Sequence, residues 1–176
     1  DGFTSVDDLV SAMQTTSTFS KLHTKVVDAM TTNETLFFRD IQPFEILKKS
    51  IIPELIAKRE KEKKLTIWCG ASSSGQEPYS IAMMLLETFP QLATWRIDFT
   101  ASDLSESMLE RCQNGVYTQL EVNRGLPTIY LAKYFEKVGG DWRIKESIRK
   151  MVNFRKINLL TSWPLLPKMD IIFIRN

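Results

Sequence analysis

Residues 65–89 read LTIWCGASSSGQEPYSIAMMLLETF. The opening LTIWCG is a nearly continuous apolar run, which suits a strand buried on both faces of a parallel sheet. The loop that follows, ASSSG, carries no charge and ends on a glycine. Pro78 fits the first turn of a helix, and YSIAMMLLETF is apolar almost all round, as in a helix pressed onto a sheet. Strand, open loop and buried helix in this order begin a βαβ unit. In doubly wound sheets ligands lie beyond the C-terminal ends of the strands, which is where this loop falls.

Working outward, WRIDFTASD (95–103) predicts a second strand ending in Asp103. Ser105 then caps a helix over ESMLERCQN, which Asn114-Gly115 stops. LPTIYLAKYF predicts a further helix, KVGGDWRIK a hairpin turning at Gly139-Gly140, and VNFRKINLL and MDIIFIRN two more strands. This alternation predicts an α/β doubly wound sheet with right-handed crossovers. Toward the N-terminus, Ser5 caps a helix over SVDDLVSAMQ, and Phe19, Leu22, Val26 and Met30 recur at helical spacing as one buried stripe. Pro43 fits the first turn of another helix, which Pro53 restarts or kinks before KREKEKK, a solvated linker or helix end.

Composition bounds the function classes. The chain has 176 residues, 43% of them apolar, enough for a sizeable core. A net charge of +2 does not by itself imply a nucleic-acid partner, although basic residues outnumber acids over 45–64 and 133–156. Two cysteines, Cys69 and Cys112, make no disulfide framework or metal cluster, and the single histidine, His23, leaves no basis for a His-based triad. No apolar run reaches the roughly 20 residues of a membrane span, so no membrane insertion is expected and a reducing cytoplasm fits best. The chain begins at Asp1 and stops at Asn176, just past IIFI, which reads as trimming at both ends.

The strand ends carry the chemistry. Gly70 and Gly75 allow a ligand close to the backbone, and Asp103 is placed to accept hydrogen bonds from the two hydroxyls of a ribose. The glycine spacing lacks the GxGxxG fingerprint of dinucleotide sites, and no Lys-Ser/Thr follows to make a phosphate-binding loop. Glu77 instead puts an anion where a diphosphate would be repelled. A ligand with a nucleoside and a cationic group fits, and S-adenosylmethionine has a ribose, an ammonium and a sulfonium. Each feature has a plainer alternative. The loop can be an ordinary strand–helix connection, Asp103 a capping acid, Arg39 a surface ion-pair partner, Asn158 and Asn176 turn formers, and Cys112 a packing residue.

Six separated motifs, TTNETLFFRD, IWCGASSSGQEPYSIAMML, TASDLSESMLERCQNGVY, the KYF-to-hairpin stretch, NFRKINLL and DIIFIRN, together resemble the chemotaxis receptor methyltransferase family (CheR) over most of residues 30–176. The resemblance implies an S-adenosylmethionine-dependent protein-glutamate O-methyltransferase. It would form methyl esters on the cytoplasmic domains of bacterial chemoreceptors and release S-adenosylhomocysteine. It also implies a Rossmann-like sheet preceded by a small helical part and carrying a small β-hairpin subdomain.

Matched residue by residue, Asn33 and Thr35 fall on cofactor-contacting positions, and Arg39 on an arginine near the transferred methyl. Glu77 matches the acid that meets the methionine ammonium, and Asp103 the ribose-binding acid. Asn158 and Leu159 match the pair flanking the adenine, and Asn176 the asparagine of a CRN motif. Two departures stand out: Gln76 replaces an acid, and Ile174 replaces the cysteine of CRN. The family continues past this asparagine with further strands, so the sheet is expected to be truncated after its fourth strand, with an exposed edge able to pair or exchange with a second copy. The expected division is a partial receptor-docking segment over 1–40, a linker helix over 41–64, and a methyltransferase domain over 65–176 with an insertion at about 134–150. Two rival readings remain: a nicotinamide or flavin oxidoreductase, which would need phosphate room that Glu77 obstructs, and a methyltransferase-like cofactor-binding scaffold without activity.

Overall fold

The computed structural model describes residues 2–17, 20–161 and 163–175. Residues 1–32 and 33–176 form two separate units. The first holds helix α1 (Val6–Thr15), capped by the Ser5 side chain, and helix α2 (Lys21–Met30), capped by Ser20. The predicted stripe on α2 is not a buried one. No residue of that helix is buried, Met30 is 80% exposed, and Phe19 lies outside the described residues. Two ten-residue helices have too little surface to enclose a core of their own.

In the second unit, an extended run from residue 33 leads to α3 (Ile41–Ile46), a π-helical turn at Leu47–Ile51, and α4 (Ile52–Lys58). The predicted kink is this π turn. Pro53 has no N–H to donate to the turn before it, so the hydrogen-bond ladder widens just upstream. Then follow β1 (Lys64–Gly70), α5 (Gln76–Thr88), β2 (Arg96–Asp103), α6 (Glu106–Asn114) and the short β3 (Val116–Tyr117). After these come α7 (Gln119–Asn123), α8 (Thr128–Tyr134), β4 (Phe135–Val138), β5 (Asp141–Ile144), α9 (Glu146–Arg149), β6 (Val152–Lys156) and β7 (Ile171–Ile174).

Four of these strands form one parallel sheet in the order β6-β2-β1-β7, the Rossmann-like arrangement the alternating sequence implies. β1 lies inside it, which explains its unbroken apolar run, and Leu65, Ile67, Trp68 and Cys69 are all buried. Against it packs α5, with ten consecutive buried residues from Gln76 to Leu85. The strands end level: Gly70 pairs with Ser102 on one side and with Ile174 on the other, and Asp103 with Lys156. A second, antiparallel sheet in the order β3-β5-β4 turns at Gly139-Gly140, as the hairpin reading requires.

The basic run 58–64 is more than solvated linker. The Arg59 guanidinium donates twice to Asp170 Oδ1, at 3.0 and 2.6 Å, and Asp170 Oδ2 accepts the Thr66 amide at 2.9 Å. One carboxylate thus ties the end of α4 to both β1 and the start of β7. Asp170→Ala leaves the buried Thr66 amide and the arginine without this acceptor. It is expected to reduce stability by about 1–3 kcal/mol, read as a lower urea midpoint at unchanged slope.

Candidate functional site

The loop after β1 departs sharply from ordinary backbone geometry. Ala71, Ser73 and Gly75 all have positive φ, at 53°, 48° and 92°. For non-glycine residues this conformation is unfavourable and persists only where the surroundings impose it. Here they do. The Ser72 amide donates to the Ser102 carbonyl at 2.9 Å, the Ser73 amide to Asp103 Oδ2 at 2.7 Å, and the Gly75 amide to the Ser72 carbonyl at 3.0 Å. From the other side, Cys112 Sγ donates to the Ser73 carbonyl at 3.1 Å and Tyr117 Oη to the Ser74 carbonyl at 2.8 Å. Gly75 is required for space as well as for φ, since a Cβ there would lie 2.9 Å from Cys112 Sγ and 3.2 Å from Tyr117 Oη.

Asp103 therefore does two things at once. Its carboxylate holds the loop through Ser73 and accepts the Ser105 amide at 3.0 Å, just ahead of the Ser105 cap of α6. Two such bonds leave acceptor capacity on the same carboxylate for a pair of ligand hydroxyls. Beside it, the buried Ser73 hydroxyl has no hydrogen-bond partner among the described residues, an orphan that a polar ligand can satisfy. The Asp103 carbonyl also accepts the Ile157 amide at 3.1 Å, which brings the loop after β6 to the same edge. In that loop the Asn158 side chain accepts the Leu160 amide at 2.9 Å, so the turn-forming alternative holds for Asn158 in this state, and Leu159 is 36% exposed.

Glu77 is buried near the start of α5, and its carboxylate is not alone. Arg175 Nε donates to Oε1 at 2.5 Å, and Cys69 Sγ donates to Oε2 at 3.2 Å. Arg175 NH1 in turn reaches Asp40 Oδ2 at 2.8 Å. The sequence reading missed Arg175. Its position one residue beyond β7, at the ligand-facing end of a parallel strand, was the signal that could have found it. Asn176 lies outside the described residues. Gly70 has a structural reason to be small: a Cβ there would sit 2.9 Å from Ile174 Cγ1, so the isoleucine at the cysteine position of CRN fills the space beside it.

The segment with Asn33, Thr35 and Arg39 reaches the site through its two phenylalanines. Phe37 is fully buried edge-on against Tyr117, with ring centroids 5.0 Å apart, and against Phe135 at 5.7 Å. Gly125 passes so close to the Phe37 carbonyl that a Cβ would stand 2.0 Å from its oxygen. The Phe38 amide donates to Ser80 Oγ on α5 at 3.0 Å. Beyond this anchor, Arg39 NH1 donates to the Glu34 carbonyl at 2.9 Å, and Arg39 lies 4.0 Å from Asp40, the partner of Arg175. Asn33 and Thr35 are half-buried in the extended run leading into it. Among the described residues no His, Cys, Asp or Glu cluster is arranged to hold a metal ion.

A parallel sheet with an open loop after its first strand, an acid at the end of its second and a buried carboxylate on the following helix defines the nucleoside-cofactor class of Rossmann-like domains. Residues 33–176 match the family described as "CheR methyltransferase, SAM binding domain". This chain belongs to the CheR methyltransferase family, and the matched stretch is that family's S-adenosylmethionine-binding domain. It is 48% identical to a chemotaxis protein methyltransferase of Vibrio parahaemolyticus over 89% of this chain and 57% of the relative. It is 44% identical to one of Vibrio anguillarum over 98% and 62% respectively. It is 46% identical to chemotaxis protein methyltransferase 1 of Pseudomonas aeruginosa over 99% and 64%. The chain thus spans 57% to 64% of the length of these relatives.

The two thiols belong to the fabric of the site. Burial, and next the Glu77 carboxylate, push the Cys69 thiol well up, and burial, then Asp103, pushes up Cys112. Both stay protonated donors at neutral pH and neither is a ready nucleophile. A disulfide thiol reagent such as DTNB is expected to label neither cysteine in the folded protein and both in denaturant. Fast labelling under native conditions would show that the loop opens readily.

Proposed function

We propose that this protein transfers the methyl group of S-adenosylmethionine to glutamate side-chain carboxylates on the cytoplasmic domains of bacterial chemoreceptors. The observation that carries this reading is the buried Glu77 carboxylate at the start of α5, which already faces a cation, the Arg175 guanidinium. Such an arrangement suits a nucleoside bearing an ammonium better than one bearing a diphosphate. Family membership and relatives named as chemotaxis protein methyltransferases support the same choice.

In this reading Asp103 accepts the ribose hydroxyls, and Gly70 and the Ser73 hydroxyl line the approach. Asn158 and Leu159 flank the adenine, while Asn33, Thr35 and Asn176 also contact the cofactor. Glu77 meets the ammonium, with Arg175 able to remain on its other side. When bound, S-adenosylmethionine supplies an electrophilic methyl on a sulfonium, and its transfer leaves S-adenosylhomocysteine and a glutamate methyl ester. The acceptor carboxylate is already ionised near neutral pH, so no residue need act as general base. Orientation is then the protein's main contribution. Arg39 keeps free donors beyond its bond to the Glu34 carbonyl, enough to aim an incoming carboxylate through a bidentate pair.

Residues 1–40 would contribute to receptor docking, with Asn33, Thr35 and Arg39 at the end of that segment also serving the site, 41–64 would link, and 65–176 would carry the rest of the methyltransferase domain, with the insertion near 134–150 facing the receptor. No described helix is long and apolar enough to cross a membrane, in keeping with a cytoplasmic site of action. β7 is an edge strand paired only with β1 among the described residues, so its outer backbone edge is open, which supports pairing with a further strand, from the same protein or a second copy.

The test is transfer of label from methyl-labelled cofactor to a chemoreceptor cytoplasmic fragment. A base-labile label is expected, and a base-stable one would refute the carboxylate assignment. Arg39→Ala should lower turnover by about 30- to 100-fold, the loss of one charge-assisted pair, while S-adenosylhomocysteine affinity changes less than about threefold. Calorimetry showing that this variant no longer binds S-adenosylhomocysteine would refute the orienting role.

A further inference from the structure

We propose that Tyr117, with Cys112 beside it, is a positioning residue for the cofactor loop, and that through Tyr117 the small antiparallel sheet sets the geometry of the site. The inference rests on the cofactor reading given above. Tyr117 is fully buried and comes from β3, where it pairs with Trp142 of β5. Its position is fixed by that sheet and not by the parallel one.

Two parts of this one side chain act on two parts of the site. Its hydroxyl holds the Ser74 carbonyl at 2.8 Å, while its ring packs edge-on against Phe37 at 5.0 Å. Arg111, paired with Glu121, lies over the same ring at 5.9 Å, which closes its surroundings on the α6 side. The loop after β1 and the segment leading to Arg39 are therefore registered against a single rigid group.

The hydrogen bond matters because of what it holds. Ser73 and Gly75, on either side of Ser74, are both left-handed, and no regular structure stabilises this turn. In a trans peptide the carbonyl and the following N–H point opposite ways. Keeping the Ser73 carbonyl on Cys112 and the Ser74 carbonyl on Tyr117 therefore fixes the aim of the intervening peptide groups. Without these donors two buried carbonyls are left unsatisfied, and the turn can relax toward right-handed geometry. A ligand would then have to re-impose the turn on binding, which appears as lost affinity and not as lost chemistry.

Tyr117→Phe keeps the ring and its contact with Phe37 but deletes the donor. It is expected to raise the Kd for S-adenosylhomocysteine and the KM for S-adenosylmethionine about tenfold, as for one hydrogen bond, with kcat at saturating cofactor within about threefold. Tyr134→Phe is the matched control. It deletes a tyrosine hydroxyl on a buried side chain that donates to Glu87, near the far end of α5 from the loop, and should lower the melting temperature with Kd unchanged.

Cys112→Ala and Cys112→Ser form a second pair that does not depend on the tyrosine variant folding. Alanine should weaken binding and serine, which can still donate, should restore it. Wild-type affinity in Tyr117→Phe or in Cys112→Ala overturns the proposal, as does an equal loss of affinity in Tyr134→Phe. Wild-type protein that fails to bind S-adenosylhomocysteine overturns the underlying cofactor reading, a result distinguishable because no variant then differs from it.

Discussion

The turn from Ala71 to Gly75 is the constraint around which the rest of this domain is arranged. Here the chain leaves a buried strand and enters a buried helix within five residues, and three of the five are left-handed. Such a turn is stable only if its peptide groups are held from several directions. The parallel sheet contributes the Ser102 carbonyl and the Asp103 carboxylate, α6 contributes Cys112, and the antiparallel sheet contributes Tyr117. Three consecutive elements, β2, α6 and β3, thus converge on one loop, and the loop's shape records how they pack.

Electrostatics decides what this shape is for. A carboxylate as buried as Glu77 needs a cation or several donors, and it has both in Arg175 and Cys69. The same carboxylate makes the start of α5 a poor place for a phosphate, although helix starts are otherwise favourable to anions. Asp103 has the opposite problem and the same solution. Two backbone amides satisfy half of its capacity and leave the remainder for a further donor, the ribose hydroxyls of the proposed reading. One acid at the end of β2 and one at the start of α5 thus sit in different surroundings, which is what the proposal of different tasks for them rests on.

Much of this was legible in the sequence. The apolar run of β1, the polar cap at Ser105, the stop at Gly115 and the Gly139-Gly140 turn are local signals, and each appears where the pattern places it. Glu77 was legible because its charge interrupts an otherwise neutral loop and helix start. What the sequence withheld are pairings between distant residues. Arg175 and Glu77 are 98 positions apart, and nothing near either one announces the other. Tyr117 falls outside every element that the sequence pattern predicts, and its contacts emerge only when Phe37 and Ser74 are brought to it. The stripe on α2 failed for a different reason: helical periodicity marks a face able to be buried, but burial also needs a partner surface, and the unit formed by residues 1–32 does not supply it.

The central claim is that Glu77 selects the cofactor by its ammonium. The most direct measurement compares the Kd values of S-adenosylhomocysteine and 5′-methylthioadenosine, which lacks the amino-acid end, for the wild type and for Glu77→Gln. The account predicts that wild type prefers S-adenosylhomocysteine by about 10- to 100-fold, the range of a charge-assisted contact, and that Glu77→Gln removes most of that preference. A preference that survives the substitution unchanged would contradict it.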